Sequence, residues 1–265
     1  MADIHVAALM QSSVKGLTAS SFSSNRSFSR HSHEEYGVGV IAEGAQRSWS
    51  GLGFVESLPG DVITVNPGEI HDGVPIAGCV RRWHMLYVSP AVLMSLKDDA
   101  CQMDFEFTRP SASDPVGRQL FFSVYRQAIA SQCCIAIETS LAHLTQMLSQ
   151  TTALRSSTRN GAPAIHEAIA MIDTTPGAPH SLDALAAASG VSKFQLLRGF
   201  TKHLGITPHA YLIHRRVQLA RRSIIRGVSF VDTALSCGFA DQSHMTRAFV
   251  RLYGVTPGQL RSAHR

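Results

Sequence analysis

"FTKHLGITP" at residues 200–208 and "FVRLYGVTP" at residues 249–257 share a phenylalanine, a glycine five positions later and a Thr-Pro pair, at a separation of 49 residues. Glycine readily takes the left-handed conformation that closes a helix. Threonine is a good N-cap, and proline fits the first helical position, where its missing N–H costs nothing. Each stretch therefore reads as a helix stop followed at once by a helix start, with Phe200 and Phe249 anchoring the helices being stopped. Arg198 and Arg247 match at the same separation, while Gly190 matches Gly238 at 48, so one residue is inserted after the turn glycine of the second copy. Two copies are too few for a solenoid and suit a duplicated supersecondary unit.

Outward from these stretches the grammar repeats. Ser181 caps "LDALAAA", Gly190 follows its last turn, and Ser192 with Gln195 forms an S-x-x-Q capping box opening "KFQLLRGFTKHLG". In the second copy "SFVDTALSCG" is a short helix, Asp241 caps "QSHMTRAFVRLYG", and Thr256-Pro257 opens a final helix. A short helix, a glycine turn and a longer helix make the helix-turn-helix pattern. Leu196, Phe200 and Leu204 face inward on the first long helix, and Met245, Phe249 and Leu252 on the second. Phe194, Leu197, Arg198, Thr201 and Lys202 then face outward, as do Gln242, Ser243, His244, Thr246, Arg247 and Arg251. The connecting segment "PHAYLIHRRVQLARRSIIRG" spans about 19 helical residues and roughly 28 Å, enough to hold two reading helices about one DNA turn apart. Arg215, Arg216, Arg221 and Arg222 on it face either phosphates or a solvated, salt-bridged surface.

The charge is uneven. Residues 1–163 carry 12 Lys/Arg against 14 Asp/Glu, a net of −2, whereas residues 164–265 carry 12 against 5, a net of +7. The basic half is the one suited to a polyanion. The five cysteines form no CxxC pair, which fits reduced thiols in a cytoplasm; the vicinal Cys133 and Cys134 read as two small helix residues, with an oxidant-sensing pair the alternative. No run of 18 or more apolar residues exists, so no membrane-spanning helix is expected, and the N-terminus lacks the basic start of a signal peptide.

On "SLDALAAASGVSKFQLLRGFTKHLGITPHAYLIHRRVQLARRSI" and "DTALSCGFADQSHMTRAFVRLYGVTPGQLR", residues 181–261 resemble the C-terminal region of the AraC/XylS family of bacterial transcriptional regulators. The resemblance implies a single chain that binds double-stranded promoter DNA through two helix-turn-helix units, with RNA polymerase as a further partner if it activates. By matching position the base-facing residues are Phe194, Leu197 and Arg198 in the first unit and Gln242, Ser243, His244 and Arg247 in the second. Arginine can grip guanine, glutamine can read adenine, and Phe194 and Leu197 can lie against thymine methyls. Arg198 and Arg247 have an alternative in phosphate or intramolecular contacts. Phosphate contacts are expected from Lys193, Lys202, Arg215, Arg216 and Arg251.

Residues 31–90 change register to short runs rich in Val, Ile and aromatics: "YGVGVIAEG", "WSGLGFVESL", "DVITVNP" and "RRWHMLYVSP". This is all-β patterning. "HSH" at 31–33 with "GDVITVNPGEIH" ending at His71 resembles the two motifs of cupin barrels, the expected sensor half of the family. Metal-binding cupins place a glutamate four or five residues after the second histidine; Gly37 and Val38 stand there, so no metal or other cofactor is expected. Candidate effector contacts are His31, His33, Glu35, Tyr36, Trp49, His71, Trp83 and Tyr87, with core packing the alternative for both tryptophans. The pairing of "HSHEEYGVGVIAEG" with "NPGEIHDG" resembles a subgroup found beside metabolite exporters, which points to an amino-acid-like effector.

The expected fold is thus two-domain α+β: a cupin-like barrel over 1–112, a helical segment over 113–154, a linker over 155–163 and an all-α double helix-turn-helix domain over 164–265. Leu141, Leu144 and Leu148 make a helical stripe that either pairs two chains into a homodimer or packs against its own barrel. The expected function is a ligand-responsive transcription regulator rather than an enzyme; the alternative is a cupin metalloenzyme with a DNA-binding appendage.

Overall fold

The computed structural model describes residues 4–50, 53–96, 106–130, 133–150 and 163–264. The chain divides into two compact units, residues 1–154 and 155–265. Apart from Pro163, the expected linker lies outside the described residues.

In the first unit come β1 (His5–Gln11), β2 (Leu17–Ser24), β3 (Phe28–His31), β4 (Tyr36–Glu43) and β5 (Gln46–Ser50). β6 (Gly53–Ser57), β7 (Val62–Val65), β8 (His71–Pro75) and β9 (Arg81–Val88) follow. Then come helix α1 (Pro90–Ser95), the short β10 (Ser111–Ala112), and the longer helices α2 (Pro115–Ala130) and α3 (Cys134–Gln150). The strands pair antiparallel into a six-stranded sheet ordered β1-β2-β9-β4-β7-β10 and a four-stranded sheet ordered β3-β8-β5-β6. The β region therefore begins well before residue 31, where the sequence patterning was expected to start. The run "WSGLGFVESL" is divided between β5 and β6, a hairpin that sets Trp49 opposite Phe54.

Strand period two explains the layering. On β9, Leu86 and Val88 join Val38 and Val40 of β4 and Leu17 and Ala19 of β2 in one cluster with Phe121, Val124, Ile137, Leu141 and Leu144 from α2 and α3. Each fully buried Leu or Val contributes roughly 1.5–3 kcal/mol. Leu148 packs against the same cluster, so the leucine stripe is consumed by its own barrel and is not the face that pairs two chains. The other face of β9, carrying Arg81, Trp83, Met85 and Tyr87, turns towards the second sheet. Gly39 on β4 makes room there, because a Cβ at that position would collide with Met85 and sit 2.6 Å from the His84 carbonyl oxygen.

The second unit holds α4 (Pro163–Thr174), α5 (Leu182–Ala188), α6 (Lys193–Leu204), α7 (Pro208–Ile225), α8 (Phe230–Ser236), α9 (Gln242–Tyr253) and α10 (Pro257–Ala263). Gly205 and Gly254 close α6 and α9 at φ 69° and 68°. The Thr207 hydroxyl accepts from Ala210 N at 3.1 Å, and the Thr256 hydroxyl accepts from Gln259 N at the same distance. Pro208 and Pro257 stand at the first helical positions. The repeated G-[IV]-T-P is thus a left-handed stop joined to a capped start. The expected capping box is present too: Gln195 N donates to the Ser192 hydroxyl at 3.3 Å and Ser192 N to the Gln195 side chain at 2.9 Å. Phe200 and Phe249 are both fully buried. Helix α4, which the sequence reading left undescribed, brings Ile165, Ala168 and Ile172 against Leu196 and Phe200.

Truncating an anchor leaves a cavity in a small helical core. Phe249→Ala is expected to cost roughly 3–5 kcal/mol, whereas Phe194→Ala, 76% exposed, should stay within about 0.5 kcal/mol. Urea unfolding followed by helical circular dichroism checks both.

Candidate functional site

Helices α6 and α9 expose corresponding faces. Lys193, Phe194, Arg198, Thr201 and Lys202 are exposed on α6, and Gln242, Ser243, Arg247 and Arg251 on α9. Leu197 and His244 are half-buried, and the His244 ring meets Phe239 edge-on at 5.2 Å between centroids. A cap orients the start of α9, where Asp241 accepts from His244 N at 2.6 Å. Lys193 pairs with Asp183 at 2.8 Å, an exposed contact weak enough to exchange for another anion.

Two expected phosphate contacts are committed elsewhere. Arg216 donates from Nε to Pro176 O (2.9 Å), from Nη1 to Gly238 O (2.6 Å) and from Nη2 to Ala178 O (3.0 Å). Its guanidinium fastens the loop after α4 to the turn of the second helix pair. The close approach requires glycine, since a Cβ at Gly177 would lie 2.5 Å from Ser236 O. Arg215 pairs with Asp173 at 2.7 Å and donates to Gln218 at 2.6 Å. Tyr211 donates to the same Asp173 at 2.9 Å, so this carboxylate gathers side chains from two turns of α7.

In the first unit the three histidines converge. One ligating nitrogen from each of His31, His33 and His71 lies within 4.8 Å of the others. The ring centroids are separated by 4.8 Å for His31–His33, 4.4 Å for His31–His71 and 5.1 Å for His33–His71. Strand pairing causes the meeting, because His31 on β3 is directly opposite His71 on β8. His31 Nδ1 lies 2.7 Å from Ser29 O and His71 Nδ1 lies 3.0 Å from Glu69 O. A carbonyl oxygen only accepts, so these nitrogens carry protons, and each ring in its neutral form has its lone pair on Nε2. Tyr87 reaches the cluster at 5.3 Å from the His33 ring.

Three imidazoles so placed can hydrogen-bond a small molecule or contract onto a divalent ion. Two carboxylates close in sequence are engaged: Glu69 accepts from Asn66 N at 2.9 Å and from its side chain at 3.0 Å, and Asp72 accepts from Trp49 N at 2.6 Å.

The remaining candidates scatter. Trp83 stacks on Phe22 at 4.9 Å and 13° and stands edge-on to Phe28 at 5.8 Å, on the same face of β9 as Tyr87. Trp49 is turned away from the histidines, with the Arg30 guanidinium over its ring at 3.9 Å. Alternation puts it beyond the cluster, because Gln46 and Ser50 take the inward positions of β5. Tyr36 packs on Phe107 beside the helix-covered cluster, and Glu35 is half-buried in the bend before β4. Trp49 and Tyr36 are therefore not part of the interior.

Arg81 is the interior residue that the sequence reading missed. It is 1% exposed, and its Nη2 donates to Gly73 O at 3.0 Å. Its Nε and Nη1 are buried without an acceptor. The guanidinium carbon lies 4.8 Å from the Trp83 ring centroid and 5.7 Å from that of Phe28. Burial pushes its pKa down to about 10, which leaves it protonated at neutral pH. The signal was present: Arg81 stands two residues before Trp83 and six before Tyr87, both candidate effector contacts, and on a strand this even spacing puts all three on one face.

His71 is held below its ordinary 6.5 chiefly by burial, against the opposing pull of the Glu69 carbonyl and the charges of Glu69 and Asp72. Burial and the charge of Arg82 lower His84 as well. Both folded-state pKa values lie below the unfolded one. Their stabilising contribution is therefore complete above about pH 6.5 and is lost as the pH falls towards the folded values, since the unfolded chain binds those protons first. The thermal midpoint is expected to be lower at about pH 5.5 than at about pH 7.5, with a smaller difference in His71→Gln. Thermal unfolding at constant ionic strength measures this.

Two family models match the chain: an AraC-like ligand binding domain over residues 17–168 and a helix-turn-helix domain over residues 185–263. YbfI of Bacillus subtilis, described as an uncharacterized HTH-type transcriptional regulator, is 27% identical over 230 residues, covering 82% of this chain and 81% of that protein. The HTH-type transcriptional regulator MtrA of Neisseria gonorrhoeae is 38% identical over 82 residues, 31% of this chain and 27% of MtrA. Among solved structures, ToxT from Vibrio cholerae shares the fold at a TM-score of 0.55 and 10% identity, over 98% of this chain and 97% of that one.

Proposed function

The chain belongs to the AraC family of transcriptional regulators, and we propose that α6 and α9 are its two base-reading helices, entering successive major grooves on one face of promoter DNA. It is a DNA-binding regulator with a ligand-binding domain, and the residue assignments below are our reading of how it works. The observation that carries the DNA reading is the matched pair of helices, which bury Phe200 and Phe249 at equivalent positions and expose the residues around them. Phe194 and Leu197 lie against thymine methyls, and Arg198 and Arg247 address guanine. Gln242, Ser243 and His244 at the capped start of α9 meet base edges. Lys193, Lys202 and Arg251 contact phosphates; Arg215 and Arg216 do not, being fastened internally.

The first unit acts as the sensor. A small molecule held by His31, His33, His71, Trp83 and Tyr87, with Glu35 at the margin, shifts promoter occupancy by binding one state of the regulator better than the other. ToxT has been solved with an unsaturated fatty acid bound, which supports a small-molecule effector in a chain of this fold. We read the histidines as hydrogen-bonding groups without a metal, and the protein as a regulator without catalysis. One equivalent of zinc or iron retained by the purified chain and lost in His71→Ala overturns that reading. No described helix is long and apolar enough to cross a membrane, in keeping with action in the cytoplasm. A homodimer through residues 113–154 falls to exposed Val116, Ile129 and Ile135, since the leucine stripe is buried. At an activated promoter RNA polymerase is the further partner.

Selection of fragmented genomic DNA by the full chain, with sequencing of what is retained, tests the central reading. Two boxes about 10–10.5 base pairs apart are expected, and flat enrichment with and without metabolite extract overturns it. On the recovered site Arg247→Ala should cost roughly 1–3 kcal/mol and relax preference at one base position. Equal weakening on every sequence would make Arg247 a phosphate contact. Arg216→Ala should instead lower the thermal midpoint, which a melting curve separates from loss of affinity.

A further inference from the structure

Arg81 is fully buried, and among the described residues no carboxylate pairs with it. Burying a cation is costly unless it is paired. The neighbouring arginines show how this chain answers such a charge elsewhere: Arg82 pairs with Glu43 at 3.0 Å, and Arg30 with Asp72 at 3.5 Å. Arg81 has one backbone carbonyl and the flanks of Phe28 and Trp83. Aromatic faces attract a guanidinium but supply no acceptor for its N–H groups. A buried position that keeps a protonated guanidinium with two open donors is suited to receive an anion.

Resting on the sensor reading, we infer that Arg81 is the anchor for the effector, which carries a carboxylate on an apolar body lodged against Phe22, Phe28 and Trp83. A single guanidinium balances a single negative charge. Since Arg82 and Arg30 are turned outward and paired, a monocarboxylate fits better than a phosphate dianion. Charge-assisted hydrogen bonds to carboxylate are among the stronger polar contacts, and an apolar surrounding strengthens them. The histidines continue the same surface. His71 stands two residues before Gly73, whose carbonyl holds Arg81, so the imidazoles lie about 7 Å further along β8, within reach of the other end of the molecule.

The chain has two tryptophans, so Trp49→Phe leaves Trp83, beside the guanidinium, as the sole indole reporter. In that full-length background, in chloride buffer, Trp83 emission is followed while 3-phenylpropionate, octanoate and the corresponding alcohols are titrated to millimolar concentrations. The expected result is a saturable change with at least one acid and binding of its alcohol about tenfold weaker or less. Arg81→Met should remove the preference for the acid, and Arg81→Lys should retain part of it. Equal binding of acid and alcohol, undiminished acid preference in Arg81→Met, or no saturable response to either acid overturns the assignment. The acid-versus-alcohol comparison needs no variant at Arg81, so a misfolded variant does not decide the matter. DNA affinity measured on the same samples separates the two readings. An acid that binds through Arg81 without altering DNA affinity sinks the sensor reading alone. A neutral compound that alters DNA affinity without any acid binding sinks the Arg81 assignment alone.

Discussion

The register of β9 governs the first unit. This strand is bonded along one edge to β2 and along the other to β4, and it is covered on both faces. One set of alternate residues, ending in Leu86 and Val88, meets the helices; the other, from Arg81 through Trp83 to Tyr87, meets the second sheet. A slip by one residue would exchange the two sets, turning Leu86 and Val88 away from the helices and putting Trp83 and Tyr87 in their place, at a cost in packing on both faces. That penalty fixes the pairing and, with it, which side chains form an interior able to hold a ligand.

The second unit is held together by a different device. Its two helix pairs each have a buried phenylalanine and a glycine stop, and the seam between them is closed by polar contacts from α7. Arg216 bonds three backbone carbonyls, and Asp173 gathers Tyr211 and Arg215. These arginines belong to the charge excess of the basic half, yet they are spent on architecture. Exposed cations remain on the outward faces of the two longer helices of the pairs, at Arg198 and Lys202 on α6 and at Arg247 and Arg251 on α9.

Legibility in the sequence followed the range of the forces involved. The helical unit could be read almost element by element because caps, glycine stops and helical periodicity act over a few residues, as at Ser192–Gln195 and Gly254–Pro257. The start of the barrel could not. Strand β2, "LTASSFSS", is rich in serine and resembles loop, and only pairing with β9 on one side and β1 on the other makes it a strand. The histidine cluster was legible in composition, whereas its convergence depends on β3 pairing with β8, a contact between segments 40 residues apart. Trp49 and Tyr36 were misplaced because aromatic character says nothing about which face a residue occupies. Arg81 was overlooked because a charge next to Arg82 reads as surface, although its alternation with Trp83 points inward.

The two Nδ1 contacts of His31 and His71 bear on how binding would be driven. Each imidazole is held by a carbonyl only two residues upstream on its own chain, so its rotamer is set by local main-chain geometry rather than by whatever enters the barrel. The loss of side-chain freedom is incurred when the protein folds and need not be incurred again at association. Selectivity at this end of the interior then comes from fixed shape: a guest must match the directions already presented, because these rings have little latitude to turn and meet it.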